Sequence, residues 1–301
     1  MPTWNEINDE IEHLGTPDAC DQVRKRYLQE LEALTGRTVI AYYSGFLQKR
    51  QASGLAHPEA SITDLDMNGL MAVVHNIDRT RGLDLIIHTP GGGIEATRAM
   101  VEYIYAMFPD RNLRAIIPHM AMSAGTMIAC GAKTIVMGKH SCLGPTDPHI
   151  KGAPAMGIMA EVEDAVEQIR KDPLKQVVYQ QVFAKYPPAF IGDCERAVVI
   201  SRSMVAEWLR ENMLKGQIDA VARADAIVQH LTDYKGVSSH SHHFLMSDCK
   251  AMGLNIEVLE ADQALQEAVL TVHHSFVATF TRTNVIKIMQ NAHHGIWTID
   301  V

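Results

Sequence analysis

The sequence predicts an α/β fold with a core of parallel strands and an added helical arm, on three observations. Continuous apolar runs, TVIAYY at 38–43, LDLIIH at 83–88, LRAIIP at 113–118 and KTIVMG at 133–138, alternate with segments of helical spacing. The links are short and rich in Gly or Pro, as expected for parallel strands joined by right-handed crossovers. Beyond Pro154 the strand signal fades and long helical patterns follow at about 161–181, 190–213 and 219–231.

Composition bounds the function. With 301 residues, 47% hydrophobic and 21% charged, the chain can bury a sizeable core and is neither disordered nor fibrous. One main domain with an appendage is expected. A net charge of -8 repels polyphosphates, so nucleic acid is not an expected partner. The opening MPTWNEINDEIEHLG lacks the basic start and apolar stretch of a secretion signal. No run approaches the roughly 18 apolar residues of a membrane span. The expectation is a cytoplasmic protein with no membrane insertion. Five scattered cysteines (20, 130, 142, 194, 249) without CxxC spacing fit reduced thiols, not a disulfide frame or zinc site.

Four segments follow in order. Residues 1–37 form an N-terminal helical segment, in which Thr16 and Pro17, then Val23, Tyr27, Leu31 and Leu34, then Gly36 spell a capped amphipathic helix, taken as peripheral. Residues 38–154 form the α/β core: a strand at 38–43, a long loop over 45–61, and a helix from Thr63 through Leu70, Val73, Val74 and Ile77. The strand LDLIIH, a glycine turn at 91–93, a helix at 94–108, a strand at 113–118, a short helix from 124 and a strand at 133–138 complete it. Residues 155–231 read as a helical arm or insertion. Residues 232–301 return to the core through a short helix ending at Gly253, an IEVL strand and a long helix at about 261–280.

Four motifs carry chemistry. In HTPGGGIEAT (88–97) a strand runs into three glycines and a helix, so backbone N–H groups can be exposed to an oxyanion or phosphate; a plain tight turn explains the letters too. In PHMAMSAGTMIA (118–129) Ser123 lies between a strand and a helix start, where it is either a nucleophile or an ordinary helix cap. In KHSCLGPTDPHIKG (139–152) the Pro-flanked Asp147 is either an aimed carboxylate or turn chemistry. SHSHH (239–243) offers His240, His242 and His243 as a base or as surface histidines; with no H-E-x-x-H pattern and no cysteine partner it does not read as a metal site.

Taken in order, HTPGGG, MSAGT and LGPTDP resemble the serine dehydrogenase proteinase family, Clp-fold (crotonase-like) serine peptidases related to the Clp protease proteolytic subunit and signal peptide peptidase A. The likeness is specific over about 83–152. It implies a Clp/crotonase-like fold of ββα-type repeats and a hydrolase, a serine protease acting on peptide or protein substrates without a cofactor. By motif match it implies Ser123 as nucleophile, an oxyanion hole from Gly91, Gly92 and Ala124, and a catalytic triad completed by Asp147 and His240. His149 stands where relatives usually carry glutamine and lies 26 residues beyond Ser123 (149-123=26), a rival base. His242 and His243 are alternatives should the alignment shift, and Lys151 or Lys171 would serve a signal-peptide-peptidase-like lysine route. The resemblance also implies a homo-oligomer packed through the arm; an ATPase partner is left open. The competing readings are a catalytically silent assembly protein and a crotonase-like acyl-coenzyme A enzyme.

Overall fold

A computed structural model describes residues 3–51, 57–233 and 242–300. Two helices open the chain, α1 (Trp4–Leu14) and α2 (Ala19–Thr35). Thr3 and Glu6 form a capping box on α1, and Gly36 closes α2 at φ +65°. The core continues as β1 (Thr38–Ser44), α3 (Asp66–Val74), β2 (Leu83–His88), α4 (Ile94–Met107), β3 (Leu113–Ile117), β4 (Met120–Ala121), α5 (Ala124–Cys130), β5 (Thr134–Met137) and β6 (Cys142–Leu143). A two-strand turn, β7 (His149–Ile150) and β8 (Ala153–Pro154), leads to α6 (Ala155–Lys171), α7 (Gln176–Phe183), α8 (Phe190–Trp208) and α9 (Ala220–Leu231). The remainder is β9 (Phe244–Leu245), α10 (Met246–Met252), β10 (Ile256–Val258), α11 (Gln263–Arg282), β11 (Val285–Asn291) and β12 (Ile296–Asp300).

The main sheet has seven strands in the order β10-β5-β3-β2-β1-β11-β12. From β10 to β1 every pairing is parallel; β11 then pairs with β1 and β12 antiparallel. The central strands β1, β2, β3 and β5 are mostly apolar because both of their faces are covered, whereas the edge strand β12 is partly exposed. Val39, Ala41, Tyr43, Ile86, Ile116 and Val136 meet α1, α2 and α11 on one face. Ile40, Tyr42, Leu85, Ile87, Ala115 and Ile135 meet α3, α4, α5 and α9 on the other. A second, three-stranded sheet, β4-β6-β9, sits beyond the β3 end, and a bridge from Thr89 to Ala121 ties it to the main sheet.

Three elements differ from the sequence reading. The helix taken as peripheral is structural: α2 buries Val23, Tyr27, Leu28 and Leu31, a stripe at helical spacing worth about 2 kcal/mol per side chain. The first arm helix breaks at Asp172-Pro173, since the residue before a proline is pushed out of the helical region. The hairpin β11–β12 was not anticipated, and it makes the mostly parallel sheet mixed.

The arm stands on its own small core of Ala155, Phe190, Cys194 and Val198. The second half of α8 and α9 pack into the main core instead, with Trp208 buried and its Nε1 donating to Glu102 Oε1 at 2.9 Å. At the arm's far end Leu174, Val177 and Val178 are exposed. Cys130, Cys142, Cys194 and Cys249 are buried as free thiols, and Cys20 is half-buried. Among the described residues no helix is long and apolar enough to cross a membrane.

Candidate active site

Ser123 occupies the turn between β4 and α5 with φ +49° and ψ -112°. A non-glycine residue rarely holds a positive φ, and such strain persists only where the surroundings over-determine it. Its side chain makes no capping hydrogen bond to α5. The capping explanation for this serine is therefore excluded, and the hydroxyl is left half-buried on a cleft of about 1060 Å³.

The glycine turn closes on the same point. Gly91 has φ +100°, and a Cβ built on it would lie 2.7 Å from Ser123 Cβ and 3.1 Å from Ala124 N. Gly92 is equally pinned from the other side, where a Cβ would lie 2.3 Å from both the N and the O of Ile62. Ile62 N donates to Gly91 O at 2.8 Å, and Gly93 N donates to Ile62 O at 2.9 Å. The Gly91 N–H is itself engaged, donating to Thr89 Oγ1 at 3.2 Å. Among the described residues no acceptor engages the N–H of Gly92 or of Ala124.

Asp147 lies in the turn before β7, only 4% exposed. Its Oδ1 accepts from Met156 N at 3.1 Å, and its Oδ2 has no partner among the described residues. Burial pushes the carboxyl up to about 6, against the smaller opposing pulls of the Met156 N–H and the Arg202 charge. The turn is fastened to the helices behind it: Thr146 N donates to Leu231 O, and Ser201 Oγ donates to Thr146 O.

Of the histidines considered, His149 lines the cleft with Ser123, Gly91 and Gly92. It is exposed at the cleft mouth, and partial desolvation lowers its pKa below the ordinary value. His240 lies outside the described residues. His242 and His243 are exposed and do not line the cleft; the His242 ring packs on Phe244 with centroids 5.0 Å apart. Lys151 sits in the β7–β8 turn away from the cleft lining, and Lys171 pairs with Glu167 on the surface of α6. Among the described residues no group of His, Cys, Asp or Glu is arranged to hold a metal ion.

Sequence reading missed part of this surface. Asp193 and Arg196 of α8, an exposed ion pair, form one wall, and Ile62, Ile94, Met127, Ile150 and Ile200 supply apolar lining. The cleft lining thus mixes apolar side chains with the charged and polar Asp64, Glu95, His149, Asp193 and Arg196.

The fold is that of a ClpP-like protein, with the strained serine and the glycine turn at the ends of adjacent strands. The chain belongs to the family of ClpP-like SDH-type serine proteinases, whose sequence model matches residues 19–269. Among curated proteins it is 33% identical over 142 residues to the uncharacterized protein MJ0137 of Methanocaldococcus jannaschii, covering 46% of this chain and 48% of that protein. It is 27% identical over 237 residues to the uncharacterized protein MJ1495 of the same organism, covering 77% of this chain and 71% of that protein. The chain thus spans about half the length of the first of these relatives. No solved structure matches it.

Proposed function

We propose that the protein is a serine endopeptidase with Ser123 as nucleophile. The observation that supports this best is the strained, non-capping Ser123 held in contact with Gly91 on an open cleft. In this reading a peptide lies along the cleft with its scissile carbonyl against Ser123. A histidine takes the hydroxyl proton as Oγ attacks the carbonyl carbon. The developing oxyanion accepts from the N–H groups of Gly92 and Ala124, while Gly91 supplies the close approach. The same histidine returns the proton to the departing amine, leaving an acyl-enzyme that water hydrolyses.

We assign the base to His149, because it shares the cleft with Ser123; His240 is the competing assignment. Asp147, two residues before His149 in the same turn, supports the imidazolium. With a pKa near 6 it carries its charge at neutral pH and above. The substrate is a peptide or protein segment, and the assembled form is a homo-oligomer using the apolar arm tip of Leu174, Val177 and Val178.

The deciding experiment is intact-mass labelling with a fluorophosphonate probe. One adduct on the wild type, absent from Ser123→Ala, is the expected result. An unlabelled, folded wild type would remove the peptidase reading.

A further inference from the structure

We propose that the buried pair Lys287–Asp66 is a positioning device for the glycine turn, acting through Ile62 to aim the Gly92 N–H. The proposal rests on the oxyanion role given to Gly92. Lys287, on β11, and Asp66, at the start of α3, are both fully buried. The lysine Nζ donates to Asp66 Oδ1 at 2.8 Å, to Oδ2 at 3.0 Å and to the main-chain O of Ser61 at 2.6 Å. Asp66 Oδ2 also accepts from Thr63 N at 2.8 Å and from the Tyr42 hydroxyl at 3.2 Å. Ser61 and Thr63 are therefore tied to one ion pair, with Ile62 between them.

Ile62 in turn holds Gly91 O and Gly93 N. The peptide unit joining Gly91 to Gly92 is planar and trans, so its N–H points opposite to its C=O. Fixing Gly91 O on Ile62 N fixes the Gly92 N–H to point away from Ile62. A buried ion pair brings little net stability over apolar side chains of the same size. Apolar side chains, however, offer nothing to Ser61 O or Thr63 N, and the tripeptide would lose both ties.

The test compares the wild type with Lys287→Met/Asp66→Leu, with Asp66→Asn as the second variant should the double one not fold. Asp84→Asn serves as control: it breaks another buried carboxylate, held by Arg37 and Arg114 at the opposite end of β2. Amide exchange over 61–63 and 89–94 is expected to quicken at least tenfold in the clamp variants and to stay unchanged in the control. Fluorophosphonate labelling per folded molecule is expected to slow on the order of 100-fold in the clamp variants, the scale of one lost oxyanion donor, at a melting temperature matched by the control. Unchanged exchange overturns the clamp. Quickened exchange with unchanged labelling overturns its link to the oxyanion hole. A wild type that does not label removes the peptidase reading instead, and the exchange result still decides the clamp.

Discussion

Gly91 and Ser123 leave no room for a methyl group between them: a Cβ on the glycine would lie 2.7 Å from the serine Cβ and 2.8 Å from Met122 O. Gly91→Ala also has to hold φ +100°, which an L side chain resists. Labelling of Ser123 is expected to fall by at least 100-fold, the scale of a lost oxyanion contact. Gly152→Ala is the control, with φ +82° but open space around it. It should cost roughly 1–2 kcal/mol in chemical denaturation and leave the labelling rate alone.

The assignment of the base separates His149 from the SHSHH segment. His149→Gln is expected to slow labelling on the order of 1000-fold or more, whereas His242→Gln and His243→Gln leave it within twofold. A loss in His240→Gln with none in His149→Gln would move the base to residue 240. Labelling rates across pH 5–9 give the pKa of whichever group acts.

Asp147 predicts opposite effects on stability and activity. Its carboxyl is raised from an ordinary 3.8 to about 6 by burial. Between those values the folded state holds a proton that the unfolded state has lost, so stability falls as pH rises from about 4 to 6 and the cost is complete above 6. The shift of about two units corresponds to at most ~3 kcal/mol. Asp147→Asn should therefore melt higher than wild type at pH 8, by a few degrees, and match it at pH 4. In the same variant, fluorophosphonate labelling at pH 8 should drop by a factor on the order of 10³ to 10⁴.

A histidine cluster under α11 predicts acid sensitivity. The rings of His88, His119 and His273 lie with centroids 5.3 to 5.9 Å apart, beside Tyr43. Burial, then the neighbouring His119, lowers His88 to about 3; burial lowers His119 and His273 as well, with His140, His243 and His274 adding repulsion. Below pH 6.5 the unfolded chain gains protons that the folded cluster refuses, so stability drops as pH falls toward 3. His88, lowered to about 3, contributes roughly 1.4 kcal/mol per pH unit in that window, and His119 and His273 act in the same direction. Urea unfolding at pH 7, 6, 5 and 4 measures the slope, which His88→Phe should make shallower.

Much of the core was legible because buried parallel strands are written as unbroken apolar runs: LDLIIH is β2 residue for residue. HTPGGG and MSAGT were legible because the turns they form are local. What the letters withheld is long-range or conformational. β11 finds β1 across most of the chain, pairing Ile40 with Asn291, and nothing near VIKIMQN announces that partner. Lys287 within it reads as an ordinary polar position, since its partner Asp66 is 221 residues away. A serine before AGT is spelled the same whether it caps or attacks, and only its positive φ and missing cap bond separate the two.

The four buried thiols give the chain a built-in clock for its own opening. Burial pushes Cys142 up to about 11, Cys249 up to about 12, and Cys130 and Cys194 upward as well. At pH 8 a thiol of pKa 11 is ionised in about one molecule in a thousand, and alkylating reagents attack only the ionised form. Cys20, near the start of α2, is only half-buried and within reach of a reagent. Iodoacetamide should add one mark quickly and four more only as the cores open, so the order of those additions in time records whether the arm's core around Cys194 or the main core around Cys130 and Cys249 opens first.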